Sequence, residues 1–156
     1  MAVITSKNLK DTEEFAEKTV AFLAGSPAKK ATVLCLYGDL GSGKTTFTQI
    51  LGRLLGVKET IQSPTFVIMK SYKLPSSPLS TFNFKLLTHI DAYRIENPQE
   101  MLNLGFEDML NNKDNLVVIE WPERIKDILP KDTYDFYFKF VNETTRKIKS
   151  DLNFKS

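Results

Sequence analysis

A glycine-rich loop between a buried strand and an amphipathic helix most constrains what this chain can fold into. Residues 38–45, GDLGSGKT, match the pattern G-x-x-x-x-G-K-[ST] without departure. They follow the apolar run 31–37, ATVLCLY, which is typical of a strand buried on both faces of a parallel sheet. From Lys44 onward apolar residues recur at helical spacing, and Gly56 is suited to end that helix. This order of strand, loop and helix predicts a P-loop nucleotide-binding fold.

The residue types in this loop suit the binding of phosphate groups. Glycines let backbone N–H groups curl around phosphate oxygens, and the helix that follows directs its positive end at the same place. Lys44 can neutralise the β- and γ-phosphates, and the Thr45 hydroxyl can bind Mg²⁺. We predict that a nucleoside triphosphate with Mg²⁺ binds to Asp39, Gly41, Ser42, Gly43, Lys44, Thr45 and Thr46.

The identity of the base is less constrained by the sequence. A GTPase usually carries an N/T-K-x-D motif after a strand, where it reads the guanine base. The nearest segment here is 112–115, NKDN, which has Asn in place of the Asp and precedes a strand instead. The absence of the motif favours ATP.

Two acidic residues stand where strands are predicted to end. Asp91 follows the run 86–90 and Glu120 follows the run 116–119, so both should reach the ligand-binding edge of the sheet. A carboxylate there can hold Mg²⁺ or orient the attacking water. His89 would share a strand face with Asp91, and a lone His beside a carboxylate is more often a structural hydrogen-bond partner. Trp121, beside Glu120, either shields the site, contacts a partner or packs into a groove.

Length and composition narrow the class of protein. The chain has 156 residues, a net charge of +2, one Cys and one His, which excludes disulfide frameworks and Cys/His zinc sites. Neither an apolar signal core nor a membrane-length apolar run is present, so we expect a soluble cytoplasmic protein. We predict one P-loop α/β domain over 1–156, with a core at about 12–150. Its sheet should be mixed and mostly parallel, with flanking helices and a C-terminal β-hairpin.

The remaining elements follow from periodicity and turn signals. We expect a first helix with Asp11 as its cap, and a short helix that begins at Asn97-Pro98 and ends at Gly105. A surface loop or hairpin tip is expected at 73–83. Further strands are expected at 65–72, 84–93, 116–120, 133–141 and 146–154.

Four motifs together give the sequence a family resemblance. They are GDLGSGKTT at 38–46, SPTF at 63–66, HIDAYR at 89–94 and IEWPER at 119–124. In this order, and within a match from about residue 12 to 146, they resemble the bacterial TsaE (YjeE) family of P-loop ATPases. The one visible departure is the segment 73–85, which is longer than the compact linker expected there.

The resemblance implies a function and a set of roles. Such proteins bind and slowly hydrolyse ATP in tRNA threonylcarbamoyladenosine synthesis. They act on two paralogous subunits, TsaB and TsaD, which modify adenosine 37 of tRNAs reading A-starting codons, and they reset that transferase. The implied roles at matching positions are phosphate and Mg²⁺ binding by Lys44 and Thr45, Mg²⁺ binding by Glu120, hydrolysis by Asp91, nucleotide contacts by Thr12 and Arg146, a switch-like loop at Ser63, Pro64 and Thr65, and a function within the complex for Trp121.

Two other functions remain compatible with the motifs. Compact P-loop domains include small-molecule kinases, but those usually need Arg-rich lid segments, and the four Arg residues of this chain are scattered. A direct RNA-binding protein would usually show a basic and aromatic stripe, which the near-neutral sequence lacks. We therefore expect tRNA to be reached through partner subunits, with weak binding by the chain alone.

Overall fold

The apolar runs of the sequence form the centre of a seven-stranded sheet in a computed structural model that describes residues 1–62, 67–76 and 82–154. The strands are β1 (Ala2–Ser6), β2 (Thr32–Tyr37), β3 (Met69–Lys73), β4 (Leu86–Asp91), β5 (Asn115–Glu120), β6 (Thr133–Phe140) and β7 (Arg146–Ser150). Their order across the sheet is β1-β7-β6-β2-β5-β4-β3.

Parallel pairing occupies the middle of the sheet and antiparallel pairing its two sides. β2 pairs in parallel with both β5 and β6, and β4 pairs in parallel with β5. β3 is antiparallel to β4, β7 forms an antiparallel hairpin with β6, and β1 is antiparallel to β7. The predictions of a mixed α/β sheet and of a C-terminal hairpin are confirmed. The sheet is not mostly parallel as predicted, because three of the six pairings among the described strands are antiparallel.

Helices cover both faces of the central strands. They are α1 (Leu9–Ala24), α2 (Lys44–Leu54), α3 (Gln99–Asn103), α4 (Phe106–Leu110) and a 3-10 helix (Pro122–Ile128). Alternate residues of β5 divide between two apolar cores, as the pleat of a strand requires. Leu116 and Val118 pack in one core with side chains of α1 and α2, whereas Val117 and Ile119 pack in the other with side chains of α3, α4 and the 3-10 helix. None of the described helices combines the length and apolar composition that crossing a bilayer needs.

The N-terminal part of the chain differs from the prediction. α1 begins at Leu9, and its cap is Asn8, whose side chain accepts a hydrogen bond from Asp11 N at 3.0 Å. Asp11 is instead an acid of the first turn, and its carboxylate accepts from Lys7 N at 2.8 Å. The prediction of Asp11 as the cap was wrong because either residue type can cap a helix. β1 was not predicted at all.

Smaller differences concern strand and helix bounds. β3 begins at Met69, later than the predicted start at residue 65, which lies with 66 outside the described residues. Of the predicted loop at 73–83, residues 77–81 also lie outside them, and 74–76 and 82–83 have no regular structure. α3 is followed at once by α4, because Gly105 adopts a positive φ of 81° that redirects the chain into a second helix.

Candidate nucleotide-binding site

The loop between β2 and α2 is held in its curve by glycines. Gly38, Gly41 and Gly43 have φ angles of 148°, 75° and 104°, which residues with a Cβ rarely adopt. Gly43 is the N-cap of α2, and no side chain caps that helix end. The first N–H groups of α2 therefore point toward the loop without a side-chain acceptor, and together with the helix dipole they favour an anion there.

Lys44 is the first residue of α2, and its ammonium lies inside the loop. The side chain is only 5% exposed, and Nζ donates hydrogen bonds to the carbonyl oxygens of Gly38 and Asp39. Nζ also lies 3.9 Å from the centroid of the Trp121 ring, a distance suited to a cation–π contact. Burial lowers the pKa of Lys44 from its ordinary value of 10.5, and the nearby Glu120 carboxylate opposes that shift.

Thr45 and Glu120 face each other across the gap between α2 and the end of β5. The Thr45 hydroxyl donates to Glu120 Oε1 at 2.8 Å, and Glu120 is 3% exposed. The second carboxylate oxygen, Oε2, lies 2.5 Å from Nε2 of His89, which is fully buried. His89 is thus a hydrogen-bond partner of a carboxylate, as its residue type indicated, but that carboxylate belongs to the neighbouring strand.

Asp91 stands directly beside Glu120. The two residues are register partners at the ends of the parallel strands β4 and β5. Asp91 Oδ1 accepts a hydrogen bond from Tyr93 N at 3.0 Å, which holds the turn after β4. The pairing places both predicted acids at one edge of the sheet, next to the start of α2.

Trp121 follows Glu120 in an unusual backbone conformation. Its φ of 58° and ψ of 47° are left-handed, and among the described residues it is the one non-glycine residue with a positive φ. The indole ring packs against Tyr93, with centroids 4.9 Å apart, and lies beside the Lys44 ammonium. Strained backbone of this kind is commonest at functional sites, and here it directs a large ring at the loop lysine.

Two adjoining cavities open around the loop. The first, of about 300 Å³, is lined by residues 39–46, Glu120 and Arg146. The second, of about 310 Å³, shares Ser42, Gly43, Thr46 and Arg146 with it and extends to Thr12. The structure therefore brings the predicted loop residues, Glu120, Thr12 and Arg146 together around two adjoining cavities. Asp91 is not among the lining residues of either cavity.

Arg146, at the start of β7, and Thr12, in α1, both line the second cavity. Arg146 Nη1 donates to the carbonyl oxygens of Asn142 and Thr145, and its guanidinium lies 4.6 Å from the Phe140 ring centroid. Thr12 shares a 2.6 Å hydrogen bond with the Ser6 hydroxyl. Arg146 Nε and the Ser42 hydroxyl are buried without a hydrogen-bond partner among the described residues. Both are thus available to a polar ligand.

The oxygen donors of the site suit Mg²⁺ only in combination with a ligand. Among the described residues no group of three or more His, Cys, Asp or Glu side chains could hold a metal ion. Mg²⁺ is typically held in proteins by one or two carboxylates and the phosphates of a substrate. The hydroxyl of Thr45 and the carboxylate of Glu120, 2.8 Å apart, fit that arrangement.

Some residues of the site were predicted by the sequence and some were missed. Ser63, Pro64 and Thr65, predicted as a switch-like loop, lie outside the described residues. The second cavity also takes part of its wall from 6–9 at the end of β1 and from 143–144 in the β6–β7 turn, which were not predicted. The alternating pattern of 2–6, AVITS, was the signal for β1, but five residues are too few to distinguish a strand from a coil.

The chain is similar to proteins of one family over most of its length. The sequence model of the family described as threonylcarbamoyl adenosine biosynthesis protein TsaE matches residues 6–148. A Rickettsia typhi protein named tRNA threonylcarbamoyladenosine biosynthesis protein TsaE is 36% identical over 143 residues, which cover 91% of this chain and 89% of that protein. The Bacillus subtilis protein of the same name is 34% identical over 141 residues, covering 90% and 79%.

A solved structure shares the fold. The crystal structure of YdiB from Bacillus subtilis superposes with a TM-score of 0.66 at 30% sequence identity, covering 94% of this chain and 82% of that one. The family match covers the phosphate loop, both acidic strand ends and most of the C-terminal hairpin. On this extent of similarity, the chain belongs to the TsaE family.

Proposed function

We propose that this chain binds and hydrolyses ATP with Mg²⁺ as a component of the machinery that makes tRNA threonylcarbamoyladenosine. Membership of the TsaE family supports the role in threonylcarbamoyl adenosine biosynthesis, and the comparisons give no support to a small-molecule kinase. The observation that supports nucleotide binding is the arrangement of groups at the start of α2. An uncapped helix end, Lys44, and the Thr45–Glu120 pair converge on one cavity.

Each loop residue has a proposed task in that cavity. Backbone N–H groups of 41–46 bind the phosphates, and the Lys44 ammonium leaves the Gly38 and Asp39 carbonyls to neutralise them. Thr45 and Glu120 hold Mg²⁺, directly or through water, and the ion supplies charge neutralisation to the phosphates when bound. Asp91, at the neighbouring strand end, orients the attacking water.

The second cavity suits the nucleoside part of the ligand. Thr12 and Arg146 lie on its wall, and Arg146 reaches the phosphate cavity as well. Arg146 Nε and the Ser42 hydroxyl, both buried without a partner among the described residues, offer two polar contacts. We also propose Ser63, Pro64 and Thr65 as a switch-like loop near the γ-phosphate, which rests on their motif in the sequence alone.

We propose two paralogous transferase subunits of the TsaB and TsaD type as partners, with tRNA reached through them. Trp121 and its neighbour Tyr93, which is 42% exposed, lie beside the loop lysine and suit a contact that reports the nucleotide state to a partner. A cytoplasmic location follows from the proposed role in tRNA modification.

Trp121 offers a direct test of nucleotide binding because it is the single Trp of the chain. Adding ATP or ADP with Mg²⁺ should change its emission, since Lys44 must leave the ring to reach the phosphates. Lys44→Ala should abolish the binding of ATP measured by calorimetry. The exposed Lys30→Ala, which removes the same charge away from the loop, should bind normally. Unchanged affinity in Lys44→Ala would contradict the proposed site.

Hydrolysis and partners need separate measurements. Release of inorganic phosphate from ATP, with no phosphate appearing on a metabolite, distinguishes the ATPase from a kinase. A pull-down from the native cell, with and without ATP, should recover the two transferase subunits together with tRNA. Tight and salt-sensitive binding of tRNA by the isolated chain would contradict recognition through partners.

A further inference from the structure

We propose that His89 is a positioning residue that fixes the carboxylate of Glu120 for its cation. The inference rests on the proposed function, because Glu120 is given there as a Mg²⁺ ligand. His89 itself touches neither nucleotide nor metal in this arrangement. It acts through the hydrogen bond to Glu120 Oε2, which leaves Oε1 directed at Thr45.

The strand register brings the two side chains together. β4 and β5 are parallel, and Glu120 pairs with Asp91, two residues beyond His89. Side chains two residues apart share one face of a strand, so His89 lies one pleat below the sheet edge, on the face from which Glu120 meets α2. The Nε2–Oε2 distance of 2.5 Å places the two groups in contact.

Both members of the pair are buried, so the hydrogen bond between them has no substitute in solvent. His89 is 0% exposed and Glu120 is 3% exposed, so water cannot replace a lost hydrogen bond to the carboxylate. Buried carboxylates need hydrogen-bond donors, and Glu120 has one at each oxygen: the Thr45 hydroxyl and the His89 ring. With both oxygens held, the carboxylate has a single orientation.

The remaining ring nitrogen identifies the tautomer. His89 Nδ1 is buried and has no hydrogen-bond partner among the described residues. A proton there would be an unsatisfied buried donor, whereas a bare lone pair at Nδ1 with the proton on Nε2 lets the ring donate to Glu120. The geometry therefore requires Nε2–H. A His that donates to a ligating carboxylate orients it, and loss of such an outer partner typically lowers metal affinity about 10- to 100-fold.

Magnetic resonance of the nucleotide-free protein tests the contact itself. His89 is the single histidine, so selective ¹⁵N labelling gives one ring whose protonated nitrogen can be assigned without ambiguity. We expect a proton on Nε2, with a resonance that shifts in Glu120→Leu. A ring with its proton on Nδ1, or an Nε2–H signal indifferent to Glu120→Leu, would overturn the proposal whether or not the chain binds nucleotide.

Mg²⁺ titration of ADP binding, followed by Trp121 emission, tests the consequence. His89→Leu, which lacks a donor, should raise the Mg²⁺ concentration for half-saturation about 10- to 100-fold and leave the Mg²⁺-free affinity for ADP within about twofold. His89→Gln keeps a side-chain N–H donor of similar reach and should restore most of the loss. If His89→Leu does not fold, the shorter His89→Asn should show the same loss.

Thr88→Val is the matched control. Thr88 donates to Asn115 Oδ1 at 2.9 Å in a buried side-chain bond that also joins β4 to β5, away from the loop. This variant should leave the Mg²⁺ dependence unchanged. An equal loss in Thr88→Val, or an unchanged Mg²⁺ dependence in both His89→Leu and His89→Asn, would show that His89 is only structural. Failure of the wild-type chain to bind ADP would refute the proposed function instead, and the resonance measurement would still decide the His89–Glu120 contact.

Discussion

Replacing Gly38 by Ala should destabilise the chain more than replacing any open loop glycine. A Cβ built on Gly38 would lie 2.5 Å from the carbonyl oxygen of Phe138 and 2.7 Å from the Ser42 hydroxyl. The first of these atoms belongs to the backbone of β6 and cannot move without disturbing the sheet. Unfavourable φ and forced overpacking each cost about 2 kcal/mol, so we expect a loss of about 4 kcal/mol in the free energy of unfolding.

Gly41→Ala provides the matched control in the same loop. Gly41 also has a positive φ, 75°, but nothing lies within 4 Å of a Cβ at that position. Its loss should be about 1 to 2 kcal/mol, from the left-handed backbone alone. The effect of Ala on the unfolded chain is the same in both variants and cancels in their difference.

Urea and thermal unfolding of the two variants, without nucleotide, measure the difference. At about 2 to 4 °C per kcal/mol for a chain of this size, Gly38→Ala should lower Tm by about 8 to 16 °C. Gly41→Ala should lower it by less than about half of that. Equal losses would refute the reasoning, because the contact with Phe138 would then not decide the cost.

Three further experiments test Asp91, Lys44 and Cys35 individually. Asp91→Asn should leave ATP binding nearly intact and slow hydrolysis about 100-fold or more, and equal loss of both would mean that Asp91 is not a hydrolytic residue. Because burial lowers the pKa of Lys44 from 10.5, ADP affinity should fall as pH rises through that lowered value, measured against Lys44→Arg as the pH-insensitive reference. Between that lowered pKa and the ordinary value of 10.5, the folded chain binds fewer protons than the unfolded chain. The contribution of Lys44 to the free energy of unfolding therefore rises with pH in this range. Burial raises the pKa of Cys35 to about 12, so a thiol reagent at pH 8 should label it only in urea, and rapid labelling of the folded chain would contradict its burial.

The sequence was most informative where a short pattern has one structural solution. The position of the loop at 38–45 between a strand and a helix could be predicted because its glycines, lysine and threonine have a fixed spacing. The apolar run before it and the helical periodicity after it both agree with the observed elements. Asp91 and Glu120 were placed at the same edge of the sheet because parallel strands end together, and their register confirms that placement. Their chemical roles stay predictions.

The sequence was least informative where the partner of a residue is distant in the chain. β1 is stabilised by pairing with β7, where Ala2 faces Ser150, and nothing local in AVITS indicates that partner. The partner of His89 is likewise 31 positions away on another strand. The sequence therefore indicated a carboxylate as the partner of His89 but did not indicate that this carboxylate is Glu120. The left-handed backbone of Trp121 was likewise not predicted.

The pairing of β4 with β5 also determines which changes in chain length the site can tolerate. Asp91 and Glu120 are separated by the spacing between neighbouring strands, about 4.8 Å. This separation does not depend on the length of the loops that connect the strands. Insertions between β3 and β4 therefore leave that separation unchanged, since the register of β4 is fixed afterwards by its own ladder. Deletion of one residue within β4 would turn Asp91 to the opposite face of the sheet. Variation in length should thus accumulate in the connection before β4 and be absent from the strand itself.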